Sequence, residues 1–162
     1  SFSIDNYSFT DSYIKYNGTD GLVTLEAEDD AASVSISGSH IPTAAQFEEL
    51  INSAYTTCTW TADYNDTGIA GLLVISNANS SSIFLPAAGL SNSDGTALRT
   101  TNGCYWSSSL NPTPDSGAGT AFPACALDLD FSGEVTPFVY AANDNSQRFL
   151  GQSIRPVKDS EP

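Results

Sequence analysis

With 162 residues, 40% of them apolar, the chain is long enough for one sizeable domain with a hydrophobic core, which excludes a disordered tail. Charged residues make up only 15%, nineteen Asp and Glu against five Lys and Arg, and the formal net charge of -14 repels phosphate, so nucleic acid and anionic membrane surfaces are excluded as partners. No apolar run reaches the ~18 residues of a spanning helix, so no membrane insertion is expected.

Along residues 1–25, Phe2, Ile4, Tyr7, Phe9, Tyr13 and Tyr16 alternate with polar positions, which predicts one or two strands. Asn17-Gly18 and Asp20-Gly21 are turn dipeptides. Glu26 to Ala32 reads as one or two helical turns, and Val34-Ser35-Ile36 as a short strand. The clearest helix begins at Thr43. Thr43-Ala44-Ala45-Gln46 fits a capping box, Pro42 bars helix upstream, and Phe47, Leu50, Ile51 and Ala54 recur at helical spacing, leaving Glu48 and Glu49 to solvent.

Beyond Tyr55 the pattern turns to strands: Thr57 to Ala62, Gly71 to Ser76 and Ser82 to Leu85, the last two separated by a turn at Asn77-Ala78-Asn79-Ser80. Residues 91–103 read as loop and Tyr105-Trp106 as a short aromatic strand. Residues 107–124, rich in Ser, Thr and Gly around Pro112, Pro114 and Pro123, read as a long irregular loop. Ala126 to Phe131 alternates strictly, with Leu127, Leu129 and Phe131 on one face and Asp128 and Asp130 on a solvent face. Residues 139–150 read as loop and Ser153 to Val157 as a closing strand. No internal repeat or linker divides the chain, so residues 1–162 are expected to form one domain.

Cys58, Cys104 and Cys125 form no Cys-x-x-Cys pair, which argues against structural zinc; one disulfide with a free thiol and three buried thiols are both open. The start Ser1-Phe2-Ser3 reads as a trimmed mature form, and an exported protein is expected from it and from the Ser-, Thr- and Asn-rich composition.

Ile41-Pro42-Thr43 with Gln46-Phe47-Glu48-Glu49-Leu50-Ile51, Cys58-Thr59-Trp60-Thr61, Gly68 with Gly71, Ser82-Ile83-Phe84-Leu85-Pro86-Ala87-Ala88-Gly89, Tyr105-Trp106-Ser107-Ser108-Ser109, and Arg148 with Gly151-Gln152-Ser153-Ile154-Arg155-Pro156-Val157 form a set of motifs. Together they resemble the FISUMP family, the major paralogous domains of bacterial surface proteins. These run in family order from about Glu26 to Val157. Ser39-His40 stands where the family has Trp-Arg, and residues 1–25 do not match. The resemblance implies an α+β, C-type-lectin-like fold of the formylglycine-generating-enzyme branch: a small twisted antiparallel sheet, one or two helices and long irregular loops. That branch includes the variable proteins of diversity-generating retroelements, and pilus-tip and lipoprotein adhesins carry such domains. The implied role is an adhesin or receptor on the bacterial surface, binding a host or bacterial surface protein or a glycan through its C-terminal loops. A structural pilin-like module and a polysaccharide-acting hydrolase are the alternatives.

Loops 107–124 and 139–150 contain Asn111, Phe122, Pro123, Tyr140, Asn143, Asp144, Asn145, Ser146, Gln147 and Phe149. Aromatic groups mixed with amides and hydroxyls are the chemistry of paratopes, rigid contact area with adaptable hydrogen bonds, and these ten are the candidate ligand contacts. Trp60 and Trp106 read as core rather than as sugar platforms. Arg155 reads as a buried guanidinium partnered by Glu48 or Glu49. Asp128-Leu129-Asp130-Phe131-Ser132-Gly133 matches the start of a calcium loop, yet Val139 stands at its twelfth position, where a bidentate Glu is needed. Asp128 and Asp130 are the remaining metal candidates, and no cofactor is expected. Catalysis is not expected either: His40 is the sole histidine, no serine lies in a Gly-x-Ser-x-Gly context, and Cys104 and Cys125 do not match the paired reactive cysteines of formylglycine-generating activity.

Overall fold

The computed structural model describes residues 15–16, 20–92, 95–110, 126–134, 136–140 and 150–159. Local sequence determines the helices. The Asp30 carboxylate accepts the amides of Ala32 at 2.8 Å and Ser33 at 3.0 Å and so caps α1 (Ala31–Ser35). It also accepts the Ile41 amide at 2.8 Å, which ties α1 to the chain entering the next helix. Val34-Ser35-Ile36 is therefore not the expected strand: it closes α1, because the Asp30 cap starts a helix that runs through Val34, and both Val34 and Ile36 are exposed.

Helix α2 (Ala44–Leu50) carries the expected capping box. Thr43 Oγ1 accepts the Gln46 amide at 3.2 Å, and Gln46 Oε1 accepts the Thr43 amide at 2.8 Å. Phe47 is buried and Glu48 and Glu49 are exposed, as the helical spacing predicts.

The strands are β1 (Ser39–His40), β2 (Thr56–Thr61), β3 (Gly71–Ser76), β4 (Ser82–Pro86), β5 (Leu90–Ser91), β6 (Ala97–Arg99), β7 (Gly103–Leu110), β8 (Ala126–Phe131), β9 (Phe138–Tyr140) and β10 (Val157–Lys158). They pair antiparallel in four small sheets: β2-β3-β4, β7-β8-β9, β1-β10 and β5-β6. Among the described residues the fold is thus mixed α+β, mostly small antiparallel sheets with two α-helices. No helix among the described residues is long and apolar enough to cross a membrane.

The main core lies between the two three-stranded sheets and α2. Phe47 of α2, Leu72 and Val74 of β3, Leu85 of β4, Tyr105 of β7, and Leu129 and Phe131 of β8 form one buried cluster. Burying side chains of this size stabilises the fold by about 1.5–3 kcal/mol each. Trp60 is half-buried against the cluster, its ring edge-on to Phe131 with centroids 6.4 Å apart. Trp106 is half-buried and packs on two smaller clusters, Tyr16 with Leu110 and Leu90 with Cys104 and Leu150.

Several expectations change. Residues 91–103 are not all loop, since β5 and β6 form a hairpin there. The aromatic strand extends from Gly103 to Leu110, so residues 107–110 belong to β7, and residues 139–140 belong to β9. Asp130 does not face solvent. It is only 6% exposed and lies beside Cys104 Sγ at 3.8 Å and Asn102 Nδ2 at 3.5 Å. The alternation of β8 misleads because both faces of the sheet are covered, one by the main core and the other by Leu90 and Leu150, which pack on Cys104 opposite Asp130. Arg155 is exposed and makes no ion pair with Glu48 or Glu49.

Candidate functional site

The sheet β7-β8-β9 positions the candidate ligand segments through its register. Gly103 pairs with Phe131 at one end of the sheet and Leu110 with Ala126 at the other. Tyr140, the last residue of β9, pairs with Asp128. The chain therefore leaves the sheet after Leu110, re-enters at Ala126 and leaves again after Tyr140 at the same end. Leu110 and Ala126, which flank segment 111–125, and Tyr140, which precedes segment 141–149, lie at that end of the sheet. Asn111, Phe122, Pro123, Asn143, Asp144, Asn145, Ser146, Gln147 and Phe149 lie outside the described residues, while the backbone of Tyr140 ends β9.

The three serines after Trp106 build this end. Trp106 pairs with Asp128 and Leu110 with Ala126, so four steps along β7 match two along β8, and Ser107 to Ser109 form an irregularity in the ladder. Such bulges bend a strand and re-aim the residues beyond it. The freed backbone groups find other partners. Ser108 N donates to Pro42 O and Leu25 N to Ser108 O, both at 2.8 Å, and Leu110 N donates to Val23 O at 2.8 Å. Ser109 Oγ accepts the Ala44 amide at 3.0 Å, satisfying an orphan donor in the first turn of α2. Ser107 and Ser108 are each 3% exposed. The serines thus anchor the strand, and the sequence signal for that is their place in an aromatic-flanked run rather than any catalytic pattern.

Tyr16, Leu22 and Leu25 pack beneath this end of β7. Tyr16 and Leu110 are buried together with Leu22, Leu25 and Trp106 around them. The Tyr16 hydroxyl donates to Asp29 Oδ2 at 2.6 Å and accepts the Glu26 amide at 2.8 Å. Beside it, Lys15 Nζ meets Glu26 and Asp29 at 2.5 Å and Glu28 at 2.9 Å, which raises the Lys15 pKa through Asp29 first. Glu26, Glu28 and Asp29 are the one acidic grouping among the described residues tight enough to share a cation, and the Lys15 ammonium already contacts all three.

At the opposite end of β7 an open groove of about 450 Å³ runs between the β5-β6 hairpin and the returning chain, lined by Ala88 to Ser91, Ala97, Thr100 and Gly151 to Ser153. Gly151 exchanges backbone hydrogen bonds with Ser91, and Ser153 pairs parallel to Tyr105. A Cβ at Gly151 would stand 2.5 Å from Ser91 Oγ, so the serine hydroxyl would have to turn aside to admit it. The groove receives the chain just after residues 141–149, and sequence reasoning misses it because its lining comes from three separate segments.

Comparison of the chain with protein-family models, with curated proteins and with solved structures gives no match in any of the three.

Among the described residues, His40, Cys58 and Cys104 are the remaining reactive side chains, and Cys125 lies outside them. His40 Nδ1 lies 2.6 Å from Asp159 and Nε2 lies 3.1 Å from Gln46 Oε1, so both ring nitrogens are engaged. Burial pushes the Cys58 thiol up, away from the nucleophilic thiolate. Cys104 is 1% exposed.

Proposed function

We propose that this chain is a ligand-binding domain of adhesin or receptor type, exported to the bacterial surface, with a C-type-lectin-like arrangement related to the FISUMP family. It binds a surface protein or a glycan across segments 111–125 and 141–149. The observation that carries the reading is the register: Leu110 opposite Ala126 and Asp128 opposite Tyr140 bring the two residues that flank segment 111–125 and the residue that precedes segment 141–149 to one end of one sheet. A bulge bonded to α2 and to residues 23–25 holds that end of β7, the rigid support a binding loop needs. The reading assigns no turnover, in keeping with an engaged His40 and a buried Cys104.

Incubation of the labelled protein with a combined glycan and protein array is the test. The expected result is saturable capture by one glycan class or one surface protein, with no hydrolysis of the probe. Reproducible polysaccharide cleavage that disappears on substitution of an Asp or Glu would make the chain a hydrolase. Absence of capture together with incorporation into fibres would make it a structural module. A neighbouring reverse-transcriptase gene with a template copy of the region encoding residues 105–157 would add that the surface is diversified.

A further inference from the structure

The C-terminal strand β10 is held by little backbone pairing. Ser39 faces Lys158 and His40 faces Val157, a ladder of two residues, extended by the Asp159 amide donating to Gly38 O at 2.9 Å. A pair this short is marginal by itself, so the side chains around it decide whether it holds.

His40 bridges this pair to α2. Its Nδ1 stands 2.6 Å from Asp159 Oδ1, and an ionised carboxylate is acceptor-only, so Nδ1 must carry a proton. Its Nε2 stands 3.1 Å from Gln46 Oε1. That amide cannot turn over freely, because Oε1 also accepts the Thr43 amide at 2.8 Å within the capping box, and a flip would set its NH₂ against another donor. Nε2 must therefore carry a proton as well. A neutral imidazole has one N–H and satisfies only one of the two acceptors; the imidazolium satisfies both.

From this geometry we propose that His40 is a proton-operated clasp, which fastens β10 to β1 and to the N-terminus of α2 when protonated and loosens β10 when it deprotonates. The groups around it favour the charged ring. Asp159 supplies the direct carboxylate from β10, and the buried Asp30 adds a second negative charge from the cap of α1. Lys158 is the opposing charge on β10, paired across the ladder with Ser39, and α2 presents the neutral amide of Gln46. Together they raise the His40 pKa above its ordinary 6.5, with the Asp159 hydrogen bond the largest cause and burial working against it. A histidine whose pKa is raised on folding contributes its full stabilisation below about 6.5, and that contribution is lost as pH rises through the folded-state value.

Because His40 is the only histidine, its ring Cε1 proton can be followed by NMR without ambiguity. The experiment is a pH titration of that resonance in the wild-type chain, in Asp159→Asn and in Gln46→Met, with amide hydrogen exchange at Asp159 measured on the wild type across the same range. The expected wild-type midpoint lies above 6.5, falling in Asp159→Asn and falling less in Gln46→Met. Exchange at the Asp159 amide, corrected for its intrinsic pH dependence, is expected to accelerate about tenfold above the midpoint. Asp159 is more than half exposed, so its substitution leaves the core untouched. A wild-type midpoint at or below 6.5, a midpoint equal in all three proteins, or corrected exchange that stays flat across the titration would each overturn the clasp.

Discussion

Gly103 lies directly against the ring of its cross-strand partner Phe131, so closely that a Cβ at position 103 would stand 2.0 Å from Phe131 Cζ. Phe131 is fully buried and stacks on Tyr105 with centroids 6.0 Å apart. The first residue of β7 is therefore glycine for steric reasons, although its backbone is ordinary strand. Gly103→Ala is expected to destabilise the protein by about 1–3 kcal/mol through overpacking. A urea midpoint unchanged from wild type would show that the ring moves aside without cost.

Trp106 joins two small clusters rather than sitting in the main core. Its truncation should loosen both the Tyr16–Leu110 cluster and the Leu90–Cys104–Leu150 face. Trp106→Ala is expected to cost about 3 kcal/mol, as for aromatic-to-alanine changes generally. A melting curve shifted by only a degree or two would show the indole to be dispensable to both clusters.

Tyr105 gives the protein an alkaline limit. Burial pushes its phenol up to about 12 from 10, and its hydroxyl donates to Pro86 O at 2.8 Å, bonding β7 to the end of β4. An acid whose pKa rises on folding is bound more tightly to its proton in the native state. The associated stability is complete below pH 10 and is lost as pH rises from 10 towards 12. Tyr105→Phe should flatten that part of the stability profile relative to wild type while losing about 1 kcal/mol at neutral pH. Parallel alkaline profiles for the two proteins would remove Tyr105 as the cause.

The proposed ligand surface has contacts at Tyr140 and Phe149. Tyr140→Ala and Phe149→Ala should each weaken capture of an array-identified ligand by about tenfold or more, the effect of removing an aromatic anchor, with melting temperatures nearly unchanged. Unfolding of both variants would assign the two rings to the core, and stable variants that bind normally would move the site elsewhere, with the first loops after Asn17 next in line.

Local chemistry makes much of the framework legible. The Thr43–Gln46 capping box, the β-formers of β2, β3 and β4 and the turn at 77–80 are short-range signals, and each falls within a residue or so of its expected place. The helix at Ala31–Ser35 is harder to place because its cap, Asp30, reads in sequence as one more acidic residue, and its bond to Ile41 forms only when the chain turns back. Asp130 is misread for a related reason. Alternation distinguishes the two faces of a strand but does not say that a second layer covers the other face.

Composition and local pattern give an acidic chain with a capped amphipathic helix, a series of short strands and polar segments between aromatic anchors. Which of these parts meet depends on the packed chain. The packed chain brought Leu110, Ala126 and Tyr140 to one end of one sheet, set His40 between Asp159 and Gln46, and laid Leu90 and Leu150 over the Cys104 face. Periodicity and capping act over a few residues, whereas these contacts join positions up to 119 residues apart, where only the tertiary fold fixes the distance.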